Sequence, residues 1–452
     1  MYFLYNVLLG LGFAVLLPKF LIDAWRHGKY VTGLRQRLGF IKRFNNHDGP
    51  LLWLHCVSVG ETQAALPLLR AIRKDFPHYR IVASTTTVTG QELAREIFKD
   101  LAEQVFFFPI DWSWTVKRTL RAFEPAAVVL METELWPAFL RECRRRRIPA
   151  VIVNGRISEK SFARYRLVRG FVARVVNCLD LAIMQTEADA HRLRALGLEE
   201  SRVLVSGNMK FDAGTTGEQD SLPAQLASRF GLVKTDTILA ASTHDPEERL
   251  VVEVFRRLLK QHSGLRLIIA PRHPERFAEV ASLLNVSGIP WRSRTAPPTA
   301  DDESCRIILL DTIGELRRVL PLSRIVFVGG SIAAVGGHNV LEPAAEACAI
   351  VTGPHTANFQ EIVTTFLAAQ ALVQLADLPE NEIADQLTAE LTALISNRAQ
   401  QTAMGERARK LVEENRGATA RTIKALAGTL RNPALSEEAN TKQLANQGLQ
   451  ST

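Results

Sequence analysis

Residues 51–65 read LLWLHCVSVGETQAA, and the fold class turns on them. The apolar run LLWL leads through His55 into Ser58, Gly60 and Glu61, after which Ala64, Ala65, Leu68, Leu69 and Ile72 recur at the spacing of one helix face. A strand, a short turn with glycine and a helix make the first half of a βαβ unit. That order puts Ser58, Gly60 and Glu61 beyond the carboxyl end of the strand, where open α/β sheets bind ligands. Ser and Glu three apart also match a capping box, in which each side chain satisfies a backbone N–H at the helix start. Glu61 therefore has two readings, helix cap and site carboxylate. The positive end of the helix dipole is expected to keep it ionised, the state that a proton acceptor needs.

The same rhythm continues outward. LLWL, RIVAS, QVFFFP, AAVVLM, AVIVN, LAIMQ and RVLVSG alternate with amphipathic segments up to about residue 208. After the polar stretch FDAGTTGEQDSLPAQ it restarts with TILAAS, LRLIIAP, RIILLD, RIVFVGG and AIVTGP. The pattern predicts one Rossmann-like domain over 51–210, a linker over 211–236, a second Rossmann-like domain over 237–430 and a disordered polar tail over 431–452. Neither half opens with GxGxxG in a strand-turn-helix context, and no P-loop occurs. Two such sheets across a cleft without either fingerprint predict an α/β protein of the GT-B glycosyltransferase fold, by analogy of architecture.

A chain of 452 residues exceeds one ordinary core. Its five cysteines (Cys56, Cys143, Cys178, Cys305, Cys348) are scattered without a CxxC, which fits a reducing compartment and neither a disulfide frame nor a thiolate metal site. The net charge of +8 suits an anionic surface or substrate. The first 18 residues, MYFLYNVLLGLGFAVLLP, carry no charge, and Lys19, Arg26, Lys29, Arg35, Arg37, Lys42 and Arg43 follow. A secretory signal has basic residues before its apolar core. The order found here predicts a membrane anchor over 1–22, a basic membrane-proximal segment over 23–50, and a body held on the cytoplasmic side against anionic lipids. A buried N-terminal helix is the plainer alternative.

The polar clusters fall just after expected strands. METELWP (131–137) delivers Glu132 and Glu134 on one side of an extended chain, and Arg156 in NGRIS and Lys210 in GNMK stand at comparable strand ends, where they attract phosphate or carboxylate. In the second half, ASTHDPEE supplies Ser242 and Thr243, and APRHPER supplies Arg272 and His273, a planar guanidinium grip for phosphate. VGGSIAAVGGHNVLEPAAE (328–346) is the most specific stretch. Its Gly329, Gly330, Ser331, Gly336 and Gly337 let backbone N–H groups approach an anion, and a helix beginning near His338 to Leu341 points its dipole at the same spot. Asn339 lies in that turn, and Glu342 can accept from ribose hydroxyls. A structural loop needing positive φ is the plain alternative. His244, His273 and His338 lack ligand spacing and no Asp-x-Asp occurs, so no metal site is expected.

HCVSVGE, METELWP, NGRIS, GNMKFD, APRHPER and GGSIAAVGGHNVLEPAA, in that order, resemble the motifs of the 3-deoxy-D-manno-octulosonic acid (Kdo) transferases of lipopolysaccharide synthesis, and the resemblance runs from the N-terminal segment to about residue 425. It implies a GT-B fold with an acceptor domain at 51–210 and a CMP-sugar donor domain at 237–430. It further implies a CMP-Kdo donor, a lipid A precursor (lipid IVA) as acceptor, inversion at the anomeric carbon, no metal or other cofactor, no nucleic-acid partner, and a place on the cytoplasmic face of a Gram-negative inner membrane. Glu61 matches the general base, Glu132 a second site acid, and Arg272, His273, Gly336, Gly337, Asn339 and Glu342 the CMP-binding motifs. Competing readings are a UDP-sugar transferase or epimerase of the same fold, and a membrane-tethered nucleotide-binding regulator, against which an intact Glu61 argues.

Overall fold

A computed structural model describes residues 2, 5–7, 9–12, 32–44, 49–212, 221–232 and 237–430. The chain divides into two compact units, Met1–Ala213 with Arg416–Thr452, and Gly214–Asn415.

The first unit is built on a seven-stranded parallel sheet, β1 (Leu51–Cys56), β2 (Arg80–Thr85), β3 (Gln104–Phe107), β4 (Ala127–Met131), β5 (Ala150–Gly155), β6 (Leu181–Met184) and β7 (Val203–Val205), in the order β3-β2-β1-β4-β5-β6-β7. The strands read as continuous apolar runs because helices cover both faces of the sheet. Trp53, Phe106, Phe108, Phe123 and Phe139 fill one side. Leu54, Leu68, Leu69, Ile72, Ile81 and Phe98 fill the other. Strand order reverses between β1 and β4, so Glu61 and Glu132 both emerge at the switch point.

The second unit repeats the plan with β8 (Thr237–Thr243), β9 (Arg266–Pro271), β10 (Trp291–Ser293), β11 (Ile307–Leu309), β12 (Ile325–Val328), β13 (Ala349–Thr352) and β14 (Val373–Gln374), ordered β10-β11-β9-β8-β12-β13-β14. Here the switch lies between β8 and β12. All twelve expected strands are present. The two unforeseen ones, β10 and β14, are short edge strands of three and two residues, below what periodicity can reveal.

Two expected boundaries are corrected. Leu222–Phe230, inside the expected linker, is a helix of the second unit, where Phe230 is buried and Arg229 grips Asp302 at 2.7 Å. The helix Ala418–Leu430, expected in the second domain, belongs to the first. Its Ile423, Leu426 and Leu430 join the core beside Leu68 and Ile72. The Asp212 carboxylate accepts from the amides of Gly417 (2.7 Å) and Thr419 (2.6 Å) at its start, and the Tyr79 hydroxyl donates to the carbonyl of Leu430 (2.8 Å) at its end.

Among the described residues no helix is long and apolar enough to cross a membrane. Most of the expected anchor, residues 23–31 and 45–48 of the basic segment, and the whole tail from 431 lie outside the described residues. The described part of the N-terminal segment holds to the first unit. Tyr2 and Tyr5 pack on Phe171 with ring centroids 5.5 and 5.9 Å apart, and the Tyr5 hydroxyl donates to Asp111 (2.9 Å). Asp111 also accepts from the amides of Ala138 and Phe139 at the start of the helix Pro137–Arg145. Arg37, expected in the basic segment, is committed to the fold: it donates to the carbonyl of Thr86 (2.6 Å) and lies over the Phe107 ring.

Candidate active site

Ser58 is the N-cap of the helix Val59–Asp75, yet its side chain caps no amide. Its hydroxyl donates to Glu61 Oε1 (3.0 Å), and the amide of Val57, one residue before the cap, donates to Glu61 Oε2 (2.7 Å). The expected capping box is therefore not formed. Both hydrogen bonds converge on the carboxylate and fix its orientation. Gly60 is an ordinary helical residue with nothing within 4 Å of where a Cβ would stand, so the expected turn that needs glycine is absent and the space beside it is open.

Glu132 follows β4 with φ at 54° and Asn154, next to last in β5, has φ at 53°, left-handed backbone that non-glycine residues adopt rarely and at a cost of order 1–3 kcal/mol. Buried Asn154 accepts from the amide of Met209 (2.9 Å) and so ties the end of β5 to the turn Met209–Asp212. The result gathers the predicted basic residues: Glu132 accepts from Arg156 Nε (2.9 Å) and pairs with Lys210 Nζ (3.6 Å).

The electrostatics depart from expectation. Burial, with the neighbouring Glu132 charge, pushes Glu61 up to about 8 despite the hydrogen bonds from Val57 and Ser58 that favour the ionised form. The helix dipole does not keep it ionised at neutral pH. Glu134 is lifted to about 7 by burial and Glu132. His55 is buried against Phe108 with Nδ1 on Ser84 Oγ (2.9 Å), and burial lowers it to about 3, so it is a neutral core residue.

In the second unit the first glycine pair serves a different purpose from the expected one. Glu247, a buried residue that sequence reasoning missed, accepts from the amides of Gly330 (2.8 Å), Ser331 (2.9 Å), Ile332 (2.8 Å), Ala333 (3.2 Å) and His244 (3.0 Å). The N–H groups of Gly330 and Ser331, expected to cradle a ligand anion, are filled by the protein's own carboxylate. An acid at the first position of the helix after β8 was the available signal. A Cβ on Gly329 would stand 2.6 Å from Glu247 Oε2 and 2.7 Å from the carbonyl oxygen of Ser242, so only glycine fits. Ser331 is structural too: its hydroxyl donates to Val328 and accepts from the amide of Gly353.

The remaining predicted residues do gather. Gly337 donates to the carbonyl of Gly330 (2.7 Å), which brings His338 onto His244 with stacked rings and Nε2 atoms 2.8 Å apart. His273 stands edge-on to His244 at 5.2 Å. Burial and the Arg272 charge lower His338 to about 3, so this pair is neutral and shares a single N–H. Arg272, at the end of β9, is exposed, and its amide is fixed by the carbonyl of Thr243 (3.0 Å). Asn339 donates to Glu342 Oε1 (3.2 Å) and accepts from the amide of Leu341. Burial raises the Glu342 pKa while Arg317, Asn339 and Arg272 oppose it. The helix here, Leu341–Ala345, has five residues, shorter than the dipole argument assumed. Ser242 has φ at 54° and Thr243 is buried at the base of the group.

The family model of the 3-deoxy-D-manno-octulosonic acid transferases (kdotransferases) matches residues 32–213, which end where the first of the two segments of the first unit ends. The 3-deoxy-D-manno-octulosonic acid transferase of Haemophilus influenzae is 33% identical over 397 residues, 87% of this chain and 91% of the relative. The chain belongs to the Kdo transferase family. It is a glycosyltransferase. The C-terminal CMP-Kdo binding domain of WaaA from Acinetobacter baumannii is 32% identical, covering 42% of this chain and 96% of that one, with a TM-score of 0.39. MnaA of S. aureus, solved with UDP, is 14% identical over 84% of this Kdo transferase chain and 97% of its own at a TM-score of 0.52, a likeness of fold that agrees with the GT-B type.

Proposed function

We propose that this Kdo transferase takes Kdo from CMP-Kdo and joins it, with inversion, to a lipid A precursor at the cytoplasmic face of a Gram-negative inner membrane, where the N-terminal segment holds it. The observation that carries the reading is Glu61: a buried carboxylate at a strand-end switch point, oriented by Val57 and Ser58, with open space beside Gly60. In this reading the acceptor hydroxyl gives its proton to Glu61 as its oxygen bonds to the anomeric carbon, and the bond from that carbon to the phosphate oxygen breaks. CMP leaves with its negative charge beside Arg272, and Asn339 and Glu342 take its ribose hydroxyls. Glu132 is the positioning acid, held by Arg156 and Lys210, whose positive charges suit the anionic groups of the acceptor.

The test is the mass of the lipid made by purified protein from lipid A precursor and CMP-Kdo, with UDP-N-acetylglucosamine as the control donor. A gain in mass of Kdo units with the first donor only is the expected result. No gain, or a gain with the UDP-sugar, would overturn the reading.

A further inference from the structure

The helix Glu159–Leu167 ends and the helix Arg169–Val176 begins at a corner where Arg166, Leu167, Val168, Arg169 and Gly170 are all exposed. Leu167 is 85% exposed and Val168 54%, and the helix Glu159–Leu167 buries none of its residues. Two adjacent aliphatic side chains left in water need a reason. Their surroundings supply one. The stretch EKSFARYRLVRGFVARVV (159–176) carries Lys160, Arg164, Arg166, Arg169 and Arg174 against the single acid Glu159, which is itself paired with Arg192 at 3.1 Å. Apolar tips ringed by arginine suit the boundary of an anionic bilayer, where the aliphatic groups enter the acyl edge and the guanidinium groups stay with the phosphates.

Two relationships put the corner to use. Tyr2 and Tyr5 pack on Phe171 of the second of these helices, so the N-terminal segment, with its exposed Val7 and Leu11, departs from the corner's own support. Tyr165, two residues before Leu167, packs on the same core cluster as Leu135 and Trp136 of METELWP, so the corner lies on the METELWP side of the first unit.

We propose that Leu167 and Val168, flanked by Arg166 and Arg169, form a second membrane contact that inserts into the headgroup region of an anionic bilayer and sets the neighbouring Glu61–Glu132 site at the level of the acceptor's sugars. The use of the contact rests on the transferase reading; the contact itself does not.

The full-length protein tests this with vesicles of phosphatidylglycerol-rich lipid and of phosphatidylcholine alone. L167E/V168E lowers the partition coefficient on phosphatidylglycerol-rich vesicles by roughly tenfold or more, because two apolar side chains no longer leave water. R166Q/R169Q weakens binding to those vesicles and not to phosphatidylcholine. Both variants keep the wild-type melting temperature and the wild-type rate on detergent-dispersed acceptor, and both lose rate on vesicle-embedded acceptor. Because all five native cysteines are buried, Leu167→Cys takes an environment-sensitive dye selectively, and the dye shifts to the blue on phosphatidylglycerol-rich vesicles. An unshifted dye with unchanged binding of L167E/V168E would overturn the proposal and leave a protein partner for this surface. Equal loss on both vesicle types by R166Q/R169Q would overturn its anionic part. If wild type transfers nothing in detergent while the variants still lose vesicle binding, the transferase reading fails and the contact stands.

Discussion

Ser58 donates its hydroxyl hydrogen to Glu61 across 3.0 Å, the reverse of what a helix cap requires, in which the Ser oxygen accepts from the backbone. The first turn of the helix Val59–Asp75 thus gives up a cap and gains an oriented carboxylate. An ordinary capping box would have used the same two residue types for stability alone.

Glu61→Gln should lower transfer by roughly 100-fold to 10,000-fold with CMP affinity unchanged, since an amide cannot take the acceptor's proton. Its effect on stability has the opposite sign. A carboxyl whose folded pKa is raised to about 8 binds its proton more tightly folded than unfolded, so its ionisation penalises the fold increasingly as pH rises from the ordinary Glu range through 8. Glutamine is never charged. Melting curves at pH 6 and 9 should show the variant gaining on wild type at the higher pH, and a variant that loses stability at pH 9 would count against the buried, elevated carboxyl.

The pH profile follows from the same group. Glu61 acts only when ionised, so kcat/KM for the acceptor should rise with pH through about 8. Glu132→Gln removes the charge that helps raise Glu61, and that change favours ionisation. The rising limb should move to lower pH in that variant even as the rate falls. A limb that stays in place would mean that the two carboxylates do not feel each other.

Arg272→Ala and Glu342→Ala should each weaken CMP binding through loss of a charge-assisted contact of about 1.5–3 kcal/mol, roughly tenfold to a hundredfold in Kd. Titration calorimetry reads this directly. Arg272 is exposed, so the melting temperature should hold for that variant, and unaltered Kd in both would move the donor site elsewhere.

Glu247→Gln presents an NH2 group where one carboxylate oxygen now accepts amides. At least one buried N–H loses its acceptor, at about 1–3 kcal/mol each, and the loop 329–333 that carries His338 onto His244 loosens. The expected outcome is a melting temperature lower by several degrees together with weaker CMP binding, although Arg272, Asn339 and Glu342 are untouched. Loss of stability with full CMP affinity would confine Glu247 to the fold.

The sequence exposed what depends on local order. Apolar runs revealed twelve strands, and the residues that follow them, Glu61, Glu132, Arg156, Lys210 and Arg272, could be placed near strand ends without a structure. What it concealed depends on where hydrogen bonds go. Ser58 and Glu61 fit a capping box letter for letter, and only geometry shows that the bonds converge on the carboxylate. Gly329, Gly330 and Ser331 read as a cradle for a ligand's anion, yet the amides of Gly330 and Ser331 are taken by Glu247, more than 80 residues earlier in the chain, and that of Gly329 by the carbonyl of Ala241. The ionisation of Glu61 was misjudged because a dipole at a helix start is visible in sequence, whereas burial and the approach of Glu132 are not. Helix Ala418–Leu430 was assigned by proximity in sequence to the wrong unit, since nothing local records that Asp212 waits for Gly417.

That last pairing joins residues 205 positions apart, and it changes what counts as a domain in the gene. Residues 214–415 are an insertion, entering and leaving the first unit at neighbouring points, with their own sheet and core. The first unit, by contrast, is discontinuous. During synthesis its sheet emerges first but stays unfinished, with the surface around Leu68, Ile72 and Tyr79 bare, until the ribosome has made the entire inserted unit and then the closing helix. A polypeptide cut after residue 213 would therefore expose apolar surface and tend to aggregate, while 214–415, with its own sheet and core, is the piece suited to life on its own.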